Sequence, residues 1–213
     1  MTLERFSLPV ILLLAVAAWG ATLYLSGIPL SWDHIKPYGI TLAVVSATLT
    51  AFDRIGWKWW PLRLCSKIPD LNGTWCVELH STYEIPETGK RVAPIQGFAS
   101  IRQTYSKLSI RLMTKDSDSF LIASNILQRD DNTIEIAGVY QSDPKVHLRG
   151  KESEIHYGSF KVRLVGNPVA AMDGHYWTDR HTKGTVTYGS RVSALADNFD
   201  EASRLFATNR KSA

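Results

Sequence analysis

A late stretch of the chain, Gly174-His175-Tyr176-Trp177-Thr178-Asp179-Arg180, has no aliphatic side chain on either face. Successive side chains of an extended strand point to opposite sides, so Tyr176, Thr178 and Arg180 share one face and His175, Trp177 and Asp179 the other. The first set suits ligand recognition. A phenol ring can stack on a planar base, a threonine hydroxyl can bond a base edge, and a guanidinium can fork onto a phosphate. The same parity on other predicted strands adds Trp75, Gln103, Tyr140 and Tyr188. Burying such groups without partners costs a few kcal/mol each, so an anionic, planar ligand accounts for them.

Catalytic constellations are not found. His34, His80, His147, His156, His175 and His181 show no metal-ligand spacing. There is no GxSxG, HExxH, Walker loop or GxGxxG pattern. Glu152 and Glu154 fall in a charged, solvated stretch, and Cys65 and Cys76 read as two reduced cysteines without ligand partners. The expectation is a binding protein rather than an enzyme, with no metal and no cofactor. A net charge of +4 over 213 residues and a pI near 9.1 fit an anionic ligand or lipid. That charge is too weak to argue for DNA or RNA.

These residues need a scaffold, and from Leu71 onward the hydrophobic pattern has period two with turn clusters between runs. Strands are predicted over 73–82, 94–105, 107–115, 119–128, 133–142, 155–165, 172–180 and 183–192. Tight turns fall at Tyr105–Lys107, Asp130–Asn132 and His181–Gly184, and longer loops at Pro86–Gly89 and Gly166–Pro168. Eight antiparallel strands without a crossover helix should close into a minimal barrel, since closure removes unpaired edges. Its predicted interior is apolar at one end and polar at the other. Between Ser142 and Glu154 lies a charged segment that reads as a solvated loop or a lid. Asn198 to Ala207 has the pattern of a short C-terminal helix, with Leu205 and Phe206 facing in.

The first sixty or so residues differ in kind. Phe6 to Leu30 contains no charge, and a second apolar run from Tyr38 to Phe52 ends at Asp53 and Arg54. Each reads as a transmembrane helix, because about 20 apolar residues cross a hydrocarbon core of roughly 30 Å. Gly39, Ala43, Ala47 and Ala51 recur every fourth residue and form a small-residue ridge suited to helix packing and self-association. The segment Trp57-Lys58-Trp59-Trp60-Pro61-Leu62-Arg63 reads as an interfacial exit. Cations at Arg54, Lys58, Arg63 and Lys67 then place the C-terminal domain and both termini in the cytoplasm. The predicted organisation is residues 1–67 as a two-helix membrane region and residues 68–213 as an all-β soluble barrel domain.

Two resemblances attach to these residues. Gly73-x-Trp75 resembles the opening signature of lipocalins, in which an arginine stacks over the tryptophan and plugs one end of the barrel. Arg180 could do that instead of meeting a ligand, and the sequence leaves both roles open. Taken together, the two spans, the basic-aromatic exit, Asp70-Leu71-Asn72-Gly73-Thr74-Trp75 and Gly174-x-Tyr176-Trp177-Thr178-x-Arg180-x-x-x-Gly184 resemble the two-transmembrane β-barrel effectors of bacterial CBASS antiphage systems. The resemblance implies a receptor in the bacterial inner membrane, paired with a nucleotide cyclase. Its barrel would bind a cyclic dinucleotide second messenger as activating ligand, after which homo-oligomers would disrupt the lipid bilayer. The alternatives are a membrane-anchored lipocalin-like carrier of a small apolar ligand and a structural anchor with a filled barrel.

Overall fold

The computed structural model describes residues 8–27, 32–59, 68–85, 89–149 and 154–211. They fall into two compact units, one of residues 69–103 with 108–213 and one of residues 1–68 with 104–107.

The larger unit is a closed antiparallel barrel in which each strand pairs with its sequence neighbours and the last closes on the first. Its strands are β1 Gly73–Ser81, β2 Ile95–Gln103, β3 Leu108–Met113, β4 Ser117–Gln128, β5 Ile134–Pro144, β6 His156–Val165, β7 Ala171–Thr178 and β8 Lys183–Val192. No predicted strand end differs from these by more than two residues. The turn signals hold because the backbone needs them: Asn132 and His181 both adopt positive φ, 64° and 60°. Asparagine and histidine are among the residues that enter this left-handed region most readily.

One half of the barrel is filled. Leu71, Trp75, Val77, Ile101, Ile136, Val162 and Met172 are buried there in one apolar cluster. Two irregularities interrupt the alternation. β4 shifts register against β5 between Leu121 and Ala123, and β1 shifts against β8 between Trp75 and Val77. In the second, Val77 faces Tyr188 while Trp75 faces Arg191, so Gly189 and Ser190 together stand opposite Cys76.

The predicted C-terminal helix is α3, Phe199–Lys211; α1 and α2 are described below. Asn198 Oδ1 accepts from the Glu201 N–H at 2.9 Å, and Glu201 returns a carboxylate oxygen to the Asp197 N–H at 2.8 Å. That exchange satisfies first-turn donors in the manner of a capping box. Phe199 and Phe206 lie 5.3 Å from the Phe98 ring of β2, and Ala202 joins Met113 and Ala196 in a second buried cluster. The charged segment expected as a loop or lid begins with regular structure. Its start, Ser142–Pro144, completes β5, Val146–Leu148 forms a 3-10 turn, and residues 150–153 lie outside the described residues.

The smaller unit holds α1, Leu8–Leu25, and α2, Trp32–Arg54, followed by a 3-10 turn at Gly56–Lys58. Among the described residues no helix is long and apolar enough to cross a membrane. α2 has 23 residues, but its first turns carry Asp33, His34, Lys36 and Pro37 and its last turn Asp53 and Arg54. Its uncharged middle is too short to span. This overturns the multi-pass inner-membrane placement with both termini cytoplasmic, and the two transmembrane helices expected from the sequence are not borne out. The hydroxyls of Ser46 and Thr48 are satisfied within their own helix by the Leu42 and Val44 carbonyls, at 2.6 and 2.8 Å. Trp57 is 2% exposed, not an interfacial ring, whereas Trp59 is 64% exposed; residues 60–67 of the expected exit lie outside the described residues.

Candidate functional site

Above the filled half, the barrel encloses a cavity of about 390 Å³. Ligand pockets are commonly about 300–1,000 Å³. The cross-strand register arranges its wall in levels. Nearest the rim, Ser119, Ser142 and His156 stand side by side on β4, β5 and β6. Below them run Leu121, Tyr140, Gly158 and Thr178. The next level is Gly138, Phe160, Tyr176, Gly184 and Ser81. Leu79 and Val186 close the floor.

Glycines make this space usable. A Cβ on Gly158 would collide with Tyr140 Cζ and Oη, one on Gly138 would sit 2.8 Å from Phe160 Cε1, and one on Gly184 would sit 2.7 Å from Tyr176 Cε1. Each of the three rings therefore occupies space that a side chain on the neighbouring strand would fill. The ring centroids of Tyr140 and Phe160 are 6.4 Å apart. Burial, first of all, pushes the phenol of Tyr140 well above its ordinary value, with Tyr176, Tyr188 and Asp179 adding to the rise and Arg180 opposing it. Burial alone does the same at Tyr188. Both phenols stay protonated at any physiological pH and keep an O–H donor.

The turn after β7 holds the cation in place. The Thr178 N–H donates to the Thr182 carbonyl at 2.9 Å, the two threonine hydroxyls meet at 2.7 Å, and the Arg180 N–H donates to Thr178 Oγ1 at 3.3 Å. Asp179 ties the turn to β6: its N–H donates to the Tyr157 carbonyl at 3.0 Å, and its carboxylate accepts from the Tyr157 N–H at 3.1 Å. With Asp179 held outward, Arg180 takes the opposite side and lines the cavity.

Of the seven residues selected by sequence, five line this cavity: Tyr140, Tyr176, Thr178, Arg180 and Tyr188. Trp75 and Gln103 point inward as parity requires, but they belong to the filled half and do not line the cavity. The Trp75 N–H donates to the Leu71 carbonyl at 2.9 Å. Gln103 accepts from the Leu71 N–H at 2.9 Å and donates to the Pro69 carbonyl at 3.1 Å. Their polar atoms are spent on the chain's own entry into β1. The plug over Trp75 is also settled, in favour of another residue. The Arg191 guanidinium lies 5.1 Å from the Trp75 ring and donates to the Asp70 carbonyl at 2.8 Å. Arg180 is at the cavity instead.

Sequence reasoning missed Ser119, Ser142, Thr182 and the three wall glycines. Parity from Tyr140 reaches Ser142 and would have found it. Ser119 is hidden by the register shift in β4, which breaks that strand's alternation. On α2, Gly39, Ala43, Ala47 and Ala51 are all exposed along one face.

Comparison with known proteins comes to bear at this point. A family model described as the Cap15 cyclic dinucleotide receptor domain matches residues 66–189, from just before β1 to within β8. A curated relative, CD-NTase-associated protein 15 of Yersinia aleksiciae, is 26% identical over 123 residues, covering 58% of this chain and 53% of that protein. The match thus spans about half the length of the relative.

Proposed function

The chain belongs to the family of Cap15 cyclic dinucleotide receptor domains, and from that premise we propose that the upper cavity of its barrel is the receptor site, filled by a cyclic dinucleotide that a partner nucleotide cyclase makes. The observation that carries this reading is the one-sided chemistry of the cavity. Phenol rings, a hydroxyl-bearing rim and one lining arginine meet in a space the barrel leaves open. In the bound state Tyr176 and Tyr140 offer ring faces to a base, Thr178 offers a hydroxyl, and Arg180 forks onto a phosphodiester. Tyr188 donates its O–H from the floor. A carrier of an apolar ligand has no use for Ser81, Thr114, Ser119, Ser142, Thr178 and Thr182 along one lining. A filled structural barrel has no such space.

The test is isothermal calorimetry of the full-length chain against cyclic dinucleotides carrying adenine, guanine, cytosine and uracil in all pairings. Saturable binding of at least one, with none of AMP, is the expected result. A chain that binds none of them, or binds a fatty acid better than all of them, overturns the reading.

The wall glycines give a second expectation. Gly158→Ala should drive the Tyr140 ring off its seat into the cavity, lowering affinity by tenfold or more. Crowding of the Trp177 carbonyl, 2.8 Å from the added Cβ, should also destabilise the fold by about 1–3 kcal/mol. Wild-type affinity in a folded Gly158→Ala protein would show that Tyr140 does not shape the site.

The finer part of the proposal is the effector output, self-association of ligand-bound copies that ends in cell death. The exposed ridge on α2 is its candidate surface, since small side chains let helices approach closely. Replacing Ala43 and Ala47 by leucine should abolish ligand-driven oligomers in light scattering while leaving affinity unchanged. Oligomers that persist in that double variant place the assembly surface elsewhere.

A further inference from the structure

Arg180 accounts for a phosphate, but the rim row carries chemistry that a phosphate does not need. His156 Nδ1 lies 3.0 Å from the Glu154 carbonyl oxygen. A carbonyl can only accept, so Nδ1 carries the proton of that bond, and in the neutral ring Nε2 is left as a lone-pair acceptor. Beside it in the cross-strand register stands Ser142. Its oxygen accepts the Ser119 hydroxyl at 3.0 Å, which leaves the Ser142 proton free to be donated. Ser142 is 3% exposed, and all three side chains line the cavity. The rim therefore sets a hydrogen-bond acceptor next to a donor, with Ser119 fixing the donor's direction.

A phosphodiester oxygen only accepts, so the Nε2 lone pair of the neutral ring would repel it. An acceptor paired with a donor instead complements a neutral edge that offers both, as nucleobases do, each with its own order and spacing of donors and acceptors. We propose that Ser142 and His156, oriented by Ser119 and the Glu154 carbonyl, read the edge of one nucleobase and set which cyclic dinucleotides the cavity accepts. The inference rests on the receptor reading above and deepens it. Arg180 supplies affinity common to all such ligands, and the serine–histidine pair supplies the difference between them. A site built to hydrogen-bond a particular edge rejects an analogue that leaves its buried groups unpaired.

The test measures ratios of affinity, since a merely structural role would not move them. Full-length wild type, His156→Phe, His156→Gln, Ser142→Ala and Arg180→Ala are titrated with the same cyclic dinucleotide set and with 2′-deoxy analogues of the tightest binder. Wild type is expected to separate the tightest from the weakest binder by tenfold or more. His156→Phe and Ser142→Ala should collapse that spread to about threefold or less, and His156→Gln, which can still present an acceptor, should keep part of it. Arg180→Ala should weaken all of them in proportion. His156 is only partly buried, so its variants serve even if Ser142→Ala fails to fold. A proportional loss across the set in the His156 variants overturns the inference and leaves the receptor reading standing. An unchanged base preference joined to discrimination against the 2′-deoxy analogues overturns it as well, because the pair then reads a ribose hydroxyl. A wild-type chain that binds no cyclic dinucleotide removes the receptor reading itself, and this inference with it.

Discussion

Arg180→Ala is expected to weaken cyclic dinucleotide binding about tenfold to a hundredfold while the barrel melts at an unchanged temperature. A charge-assisted hydrogen bond to a phosphate contributes about 1.5–3 kcal/mol, which converts to that range of affinity. The expectation of unchanged stability is specific to the geometry. The residue closing the packed end over Trp75 is Arg191, through its stacking and its bond to the Asp70 carbonyl. Arg191→Ala should therefore do the reverse, lowering stability by about 1–2 kcal/mol and leaving affinity within a factor of about two. Calorimetry paired with thermal denaturation of the two variants separates the roles. The assignment fails if Arg180→Ala unfolds the domain, or if Arg191→Ala abolishes binding in a folded protein.

The largest effect on stability belongs to Trp75→Ala. The indole is fully buried, its N–H is bonded to Leu71, and Leu71 is itself buried. Truncation empties the centre of the filled half and strands a buried carbonyl, which should cost about 3–5 kcal/mol. For a chain of this size that corresponds to a fall of about 6–20 °C in melting temperature. Trp75→Phe keeps a six-membered ring but loses the rest of the indole and its hydrogen bond, so about 2–3 kcal/mol should go. Trp75 lines no part of the cavity, so Trp75→Phe should bind ligand with near wild-type affinity. A selective loss of binding in that variant would return Trp75 to the ligand site, where the sequence alone had put it.

The misplacement of Trp75 and Gln103 shows what alternation can and cannot carry. Period two determines which face of a strand a side chain takes, and both residues do point inward. It carries no information on depth along the barrel axis, which is set by how the strands slide past each other on closing. Trp75 thus meets the carbonyl of Leu71 rather than a base, and Gln103 meets the backbone of Pro69 and Leu71. The helical unit shows a different failure. Apolar composition in α1 and α2 was read as membrane, whereas among the described residues no helix is long and apolar enough to cross one.

By itself the sequence determined that eight strands form, where they start and stop, and that they close into a barrel. These outcomes follow from local choices: alternation, turn residues at Asn132 and His181, and the absence of crossover helices. It also determined the inward face of β7 and thereby the set Tyr176, Thr178 and Arg180. Only the tertiary structure decided that the barrel is filled at one end and open at the other. That decision rests on Gly138, Gly158 and Gly184, whose missing side chains matter only because Phe160, Tyr140 and Tyr176 arrive over them from neighbouring strands. The structure likewise decided which arginine covers Trp75. Alternation from Val186 and Tyr188 would turn Ser190 inward and Arg191 out, but the extra residue opposite Cys76 reverses the parity beyond it. A bulge is a property of two strands fitted to each other around a closed ring, and one strand's sequence does not contain it.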